Sequence, residues 1–139
     1  MSQASDLIQG VMQIIKQALP SYRVEAQVAR RTIRLSKSNP LAVVGLSRHE
    51  YNPITLGYLS MLEESSVDVT LYMLSVNDPK AGLRQMEEDV KTLLKALMQA
   101  KTVAGYLITL PESYDVSESA RNPGVIVGRL GFRALRLVF

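Results

Sequence analysis

Apolar residues recur along this chain with two different periods, and each change of period marks an element. Leu7, Ile8, Val11, Ile14, Ile15 and Ala18 follow helical spacing, with Ser5 or Asp6 placed to cap the start and Pro20 to block continuation. They predict an amphipathic helix over about 5–19. Tyr22, Val24, Ala26 and Val28 then alternate with Arg23, Glu25 and Gln27, the pattern of a half-buried strand. Residues 30–35 alternate in part, with Ile33 and Leu35 against Thr32 and Arg34. Asn39-Pro40 marks a turn, and LAVVGL at 41–46 reads as a short, more buried strand. RHEYNP reads as a loop closed by Asn52-Pro53, and residues 54–62 as a strand weakened by Gly57.

The stretch VDVTLYMLSVNDPKAGLRQMEEDVKTLL at 67–94 switches from period two to about 3.6 across NDP. In its first part Val67, Val69, Leu71 and Met73 point one way, and Asp68, Thr70 and Tyr72 the other. In its second part Leu83, Met86, Val90, Leu93, Leu94, Leu97 and Met98 form one helical stripe. Asn77 or Asp78 is placed to cap that helix, and Pro79 sits where its first residue belongs. VAGYLITL at 103–110 reads as one strand, residues 112–122 as an exposed polar loop, and residues 124–139 as a long closing strand. The sum is an α+β fold: an antiparallel, or mixed, β-sheet with an N-terminal helix and one long helix packed on one face, in a single domain over 1–139.

Composition narrows the chemistry. The chain has 139 residues, no cysteine and one histidine, which excludes disulfides, thiolate sites and histidine-cluster metal sites. No signal-peptide pattern opens it, no N-x-S/T sequon occurs, and no apolar run approaches the ~20 residues of a membrane span. The net charge of +3 is modest but unevenly spread. Residues 23–48 carry Arg23, Arg30, Arg31, Arg34, Lys37 and Arg48 against Glu25. Residues 63–89 carry Glu63, Glu64, Asp68, Asp78, Glu87, Glu88 and Asp89 against Lys80 and Arg84. Solvated faces account for this plainly; the sharper reading is a molecule with complementary ends that packs head to tail on its own copies. Arg30, Arg31, Arg34, Lys37 and Arg48 on one side, and Glu87, Glu88 and Asp89 on the other, are the candidate subunit or partner contacts. A small basic nucleic-acid-binding domain using the Arg30–Lys37 segment is the alternative, ranked second because few aromatics interleave it.

No motif supports catalysis. Gly124, Gly128 and Gly131 match neither a Walker loop nor a dinucleotide fingerprint, and fit a strand that bends. An anion at the NDP helix start would compete with the cap Asp78 and meet acid further along the helix. His49 beside Glu50 has no nucleophile elbow to serve. Glu63-Glu64 and Glu87-Glu88-Asp89 are charge runs, since sequence neighbours do not face one another. The expectation is a protein without catalytic residues, cofactor or metal.

The order of elements, with a strand VDVTLYMLSVNDP, a helix containing EEDVKTLLKALM and a closing strand, resembles the tail terminator and tail-to-head joining (tail completion) proteins of tailed bacteriophages. The likeness spans most of the chain and lies in the pattern of elements, so no functional residue carries over by motif. The 112–122 loop and the basic run at 30–37 stand as candidate departures. The resemblance implies a structural protein, six copies of which form a ring that caps the tail tube, ends its growth and joins it to the head. It implies as partners further copies, the tail tube and head-completion or connector proteins. Non-specific contact with passing DNA is a further implied partner, and a membrane is not. The implied place is the virion neck, after assembly in the host cytoplasm.

Overall fold

The computed structural model describes residues 3–27, 39–53, 60–109 and 113–138. The expected strand over 30–35 and most of the one over 54–62 lie outside the described residues. Along the chain come α1 (Gln3–Ala18), β1 (Arg23–Ala26), β2 (Leu41–Pro53), β3 (Met61–Leu74), α2 (Pro79–Ala100), β4 (Thr102–Val103), β5 (Tyr106–Ile108), β6 (Ser113–Glu118) and β7 (Val125–Val138). The strands form one mixed sheet in the order β1-β2-β3-β7-β5-β4, with β6 also on β7. Among the described residues only the β1–β2 pair is parallel. The fold is α+β, as the periodicities predict.

Strand parity builds the core. On β3, Val67, Val69 and Leu71 are buried, and their cross-strand partners on β7 are Phe132, Leu130 and Gly128. On β2 the same face carries Ala42 and Val44. Both helices cover this face. α1 buries Leu7, Val11 and Ile15, and α2 buries Met86, Val90, Leu93 and Leu97. The two helices pack on each other as well as on the sheet. Each such side chain contributes about 1.5–3 kcal/mol of transfer free energy before its entropy is counted.

The start of α2 follows the sequence reading closely. Asp78 is the cap, its side chain accepting from the Ala81 N–H at 3.2 Å, and Pro79 opens the helix. The Ser75 hydroxyl donates to the Asp78 carbonyl at 2.7 Å, so the junction is closed upon itself. Met98 departs from the predicted stripe: it is about half exposed, lining an open cleft with Leu107, Ile108 and Phe132.

Four expectations are corrected. RHEYNP is no loop: β2 runs through it to Pro53, held by pairing from Arg48↔Ser66 to Pro53↔Met61. Residues 61–74 are one strand rather than the ends of two, since Glu63 to Ser66 pair on both sides, with β2 and with β7. VAGYLITL is no single strand: Ala104 and Gly105 take positive φ of 52° and 84° and turn the chain between β4 and β5. The polar stretch after Glu112 holds β6, because Tyr114 and Val116 alternate with Ser and Asp and lie against β7.

Gly128 sets how closely α2 approaches the sheet. A Cβ there would stand 2.8 Å from Met86 Sδ and 2.9 Å from Val90 Cγ2, far inside normal contact. Met86 is flexible, but the β-branched Val90 is not. Gly128→Val is therefore expected to lower stability by about 1–3 kcal/mol through overpacking, read as a reduced urea midpoint at unchanged m-value.

Candidate functional site

A register shift between Leu46 and Arg48 inserts one residue into β2. Side chains alternate along a strand, so one extra residue reverses the parity beyond it. Before the bulge, Ala42 and Val44 face the core; after it, His49 and Tyr51 share that face, opposite Ser65 and Glu63. Arg48 and Glu50 are turned to the other face, where they form an ion pair. The bulge thus delivers a histidine to a carboxylate that lies in phase with Val67, Val69 and Leu71.

That carboxylate, Glu63, is 0% exposed. Its partner across the β3–β7 pair is Arg136, whose Nε and Nη2 donate to Oε2 at 3.1 and 2.5 Å. The Tyr106 hydroxyl, from the β4–β5 hairpin, donates to Oε1 at 2.5 Å. Arg136 also lies over the Tyr106 ring, 4.5 Å from its centroid. His49 Nε2 stands 3.5 Å from Oε1, and His49 Nδ1 is 2.7 Å from Ser65 Oγ. The His49 ring meets Tyr51 edge-on, with centroids 5.1 Å apart. Three separate segments, the β2–β3 arm, the β4–β5 hairpin and the end of β7, therefore meet at one charge.

Burial by itself would raise the Glu63 carboxyl, but the hydrogen bonds from Arg136 and Tyr106 outweigh it and hold it below the usual carboxylate range. Burial, and then the bond to Glu63, pushes the Tyr106 phenol up. The bond to Glu63 raises the Arg136 guanidinium. No buried side-chain N or O among the described residues lacks a partner. This cluster is a satisfied clasp. The hydroxyl beside His49, that of Ser65, is fully buried, and the described residues hold no group of three or more potential metal ligands.

Among the described residues, the helix-free face of the sheet, away from α1 and α2, is the open surface. There a cleft of about 360 Å³ is lined by Gln27, Val43, Asp68, Thr70, Tyr72, Arg129, Leu130 and Gly131. Thr70, Arg129 and Asp115 stand in one row across β3, β7 and β6. Gly45 leaves room for the Gln27 side chain, whose Oε1 would lie 2.0 Å from a Cβ at that position. The face is polar and carries both signs of charge, the chemistry of a protein contact more than of a phosphate site.

The predicted contact residues fall in different places. Arg30, Arg31, Arg34 and Lys37 lie outside the described residues. Arg48 is exposed on the helix-free face, engaged by Glu50. Glu87 and Glu88 are exposed on α2, over the opposite face, with Glu88 3.9 Å from Lys91. Asp89 is half-buried and serves the fold: it accepts from the Tyr22 hydroxyl at 2.6 Å and from Gln85 at 2.9 Å. The burial of Tyr22 and that bond push its phenol up. The structure does not bring Arg48 and the acidic run together within one copy.

No family model matches the chain, and no curated protein does. Its fold recurs in a solved structure. A chain in the virion of a native gene transfer agent particle superposes with a TM-score of 0.59, at 11% identity, over 96% of both chains. At that identity the likeness is one of fold.

Sequence reasoning took Glu63 for a solvated charge run and missed Tyr106 and Arg136. One signal was present: Glu63 and Ser65 continue the parity of Val67, Val69 and Leu71. Removing one partner of a buried ion pair strands the other, so Glu63→Ala is expected to cost roughly 3–5 kcal/mol in urea unfolding. The sign with pH follows from the depressed carboxyl. Its contribution is fully present above the unfolded glutamate value of about 4.3 and is lost as pH falls through the lower folded value. Between pH 7 and pH 3, the wild type should lose more stability than Glu63→Gln; equal losses would show that Glu63 does not carry the acid dependence.

Proposed function

We propose that this chain is a structural virion protein of the tail-completion kind, a ring of copies that closes a tail tube and gives the head its joining surface. The observation that carries this reading is the fold shared over 96% of both chains with a chain of a gene transfer agent virion. The order of elements, which resembles the phage tail terminators, supports the finer assignment. The protein acts by binding, with no bond made or broken. Its partners are neighbouring copies, the tube below and the head-completion proteins above. The charges of Arg48, Glu87, Glu88 and Asp89, together with Arg30, Arg31, Arg34 and Lys37, are its candidate contacts. The DNA that passes through the ring is a further, non-specific partner. Among the described residues no helix is long and apolar enough to cross a membrane. The place of action is the neck of the virion, after assembly in the host cytoplasm.

Deleting the gene from the particle-producing genome tests the role. The expected result is tail tubes of uncontrolled length with no heads attached, seen by negative-stain microscopy, and restored by adding the purified protein. Tails of normal length joined to heads in the deletion strain would refute it.

A further inference from the structure

The strand β6 gives one of its two edges to the sheet, through β7. The Ser119 N–H donates to the Val125 carbonyl at 2.8 Å, one step beyond the pair Glu118↔Ile126. Bonded and non-bonded pairs alternate along an antiparallel ladder, so Ser117, Asp115 and Ser113 are the residues that bond β7. The other side of β7 agrees. The Ser75 N–H donates to the Gly124 carbonyl at 2.6 Å, which turns the even-numbered residues of β7 to β3 and leaves the odd-numbered ones for β6. The backbone N–H and C=O groups of Tyr114, Val116 and Glu118 therefore point away from β7. Among the described residues no strand pairs with β6 on that side.

The side chains at this border are apolar on one face and acidic on the other. Tyr114 is 61% exposed on the helix side of the sheet, since its partner Leu130 is a core residue. Two residues along β7 from Leu130, Phe132 lines the cleft of about 220 Å³ in which Met98 and Leu107 are half exposed. On the helix-free face Asp115 is exposed beside its cross-strand neighbour Arg129. β6 holds Asp115 and Glu118 and no base. An uncovered strand edge with a bare aromatic is a surface that proteins normally pair or cover.

We propose that the outer edge of β6 takes an extended segment of a different protein as an added strand. The free backbone groups set the conformation of that segment, because only an extended chain presents donors and acceptors at their spacing. The side chains set its pattern. Its residues opposite Tyr114 and Val116 lie on the helix side and are apolar, and its residue opposite Asp115 lies on the other face and is basic. The described strands of this chain offer no such partner. β2, β3, β5 and β7 are paired on both edges, and β4 has two uncharged residues. β6 is itself acidic, and β1 holds Arg23 3.8 Å from Glu25, one charge of each sign. This contact does not depend on the ring reading.

The test uses the full chain and a synthetic heptapeptide of alternating lysine and valine, blocked at both ends. Amide exchange followed by NMR reads each residue. Saturating peptide should slow exchange at Tyr114, Val116 and Glu118 by about tenfold or more, and leave Asp115 and Ser117, already bonded to β7, unchanged. The sign-reversed peptide of glutamate and valine should bind at least about threefold more weakly, and Asp115→Lys should remove or reverse that preference. Tyr114→Pro deletes an outward N–H and no bond to β7, and should abolish binding; the urea midpoints of both variants show that they fold. Peptide that does not bind at millimolar concentration, peptide that binds and leaves the three amides unchanged, or a folded Tyr114→Pro that binds as the wild type does overturns the added strand. Protection of the same amides in concentrated protein without peptide shows a second copy on the edge, and overturns a different protein as its occupant.

Discussion

The fourteen residues of β3 pair one for one with β7, and everything else is arranged around that ladder. A ladder of that length admits no slip, because a shift of one residue would send Val67, Val69 and Leu71 to solvent and Asp68 and Thr70 to the core. It also leaves each strand a second edge. β3 uses its own for β2, and β7 divides its own between β6 and β5. The helices then have one continuous apolar face to cover, and Gly128 lets α2 settle onto it closely.

The ladder's far end is held by charge instead of by apolar packing. Glu63 and Arg136 are direct partners in the ladder, where a helix would otherwise need to cover an apolar pair. A buried ion pair is weak as a source of net stability, since desolvation offsets most of the attraction. Its value here is in specificity. Glu63 accepts from Tyr106 and Arg136 and is faced by His49, so the β2–β3 arm, the β4–β5 hairpin and the end of β7 meet in one arrangement around it. The bulge at Ser47 belongs to the same arrangement, because without it His49 would point to the solvent face.

The two faces of the sheet consequently differ in what they can do. One is consumed by α1 and α2. The other carries both signs of charge, with Asp68, Thr70, Arg129 and Asp115 on it. Within the acidic run on α2, Asp89 also bonds Tyr22 and Gln85.

The sequence by itself determined the elements with a clear period. α1, the second half of β3, the Asp78 cap, α2 and β7 were all legible, because capping and amphipathic spacing are local properties. The α+β class followed from their order. Tertiary structure decided the rest. Whether RHEYNP is loop or strand depends on a partner, and β3 supplies one. The polar β6 is a strand only because β7 offers an edge. Glu63 looked solvated because neighbouring residues cannot reveal Arg136, 73 positions away, or Tyr106, 43 positions away. A buried charge is stable only when its partners arrive, and their arrival is a matter of the whole fold.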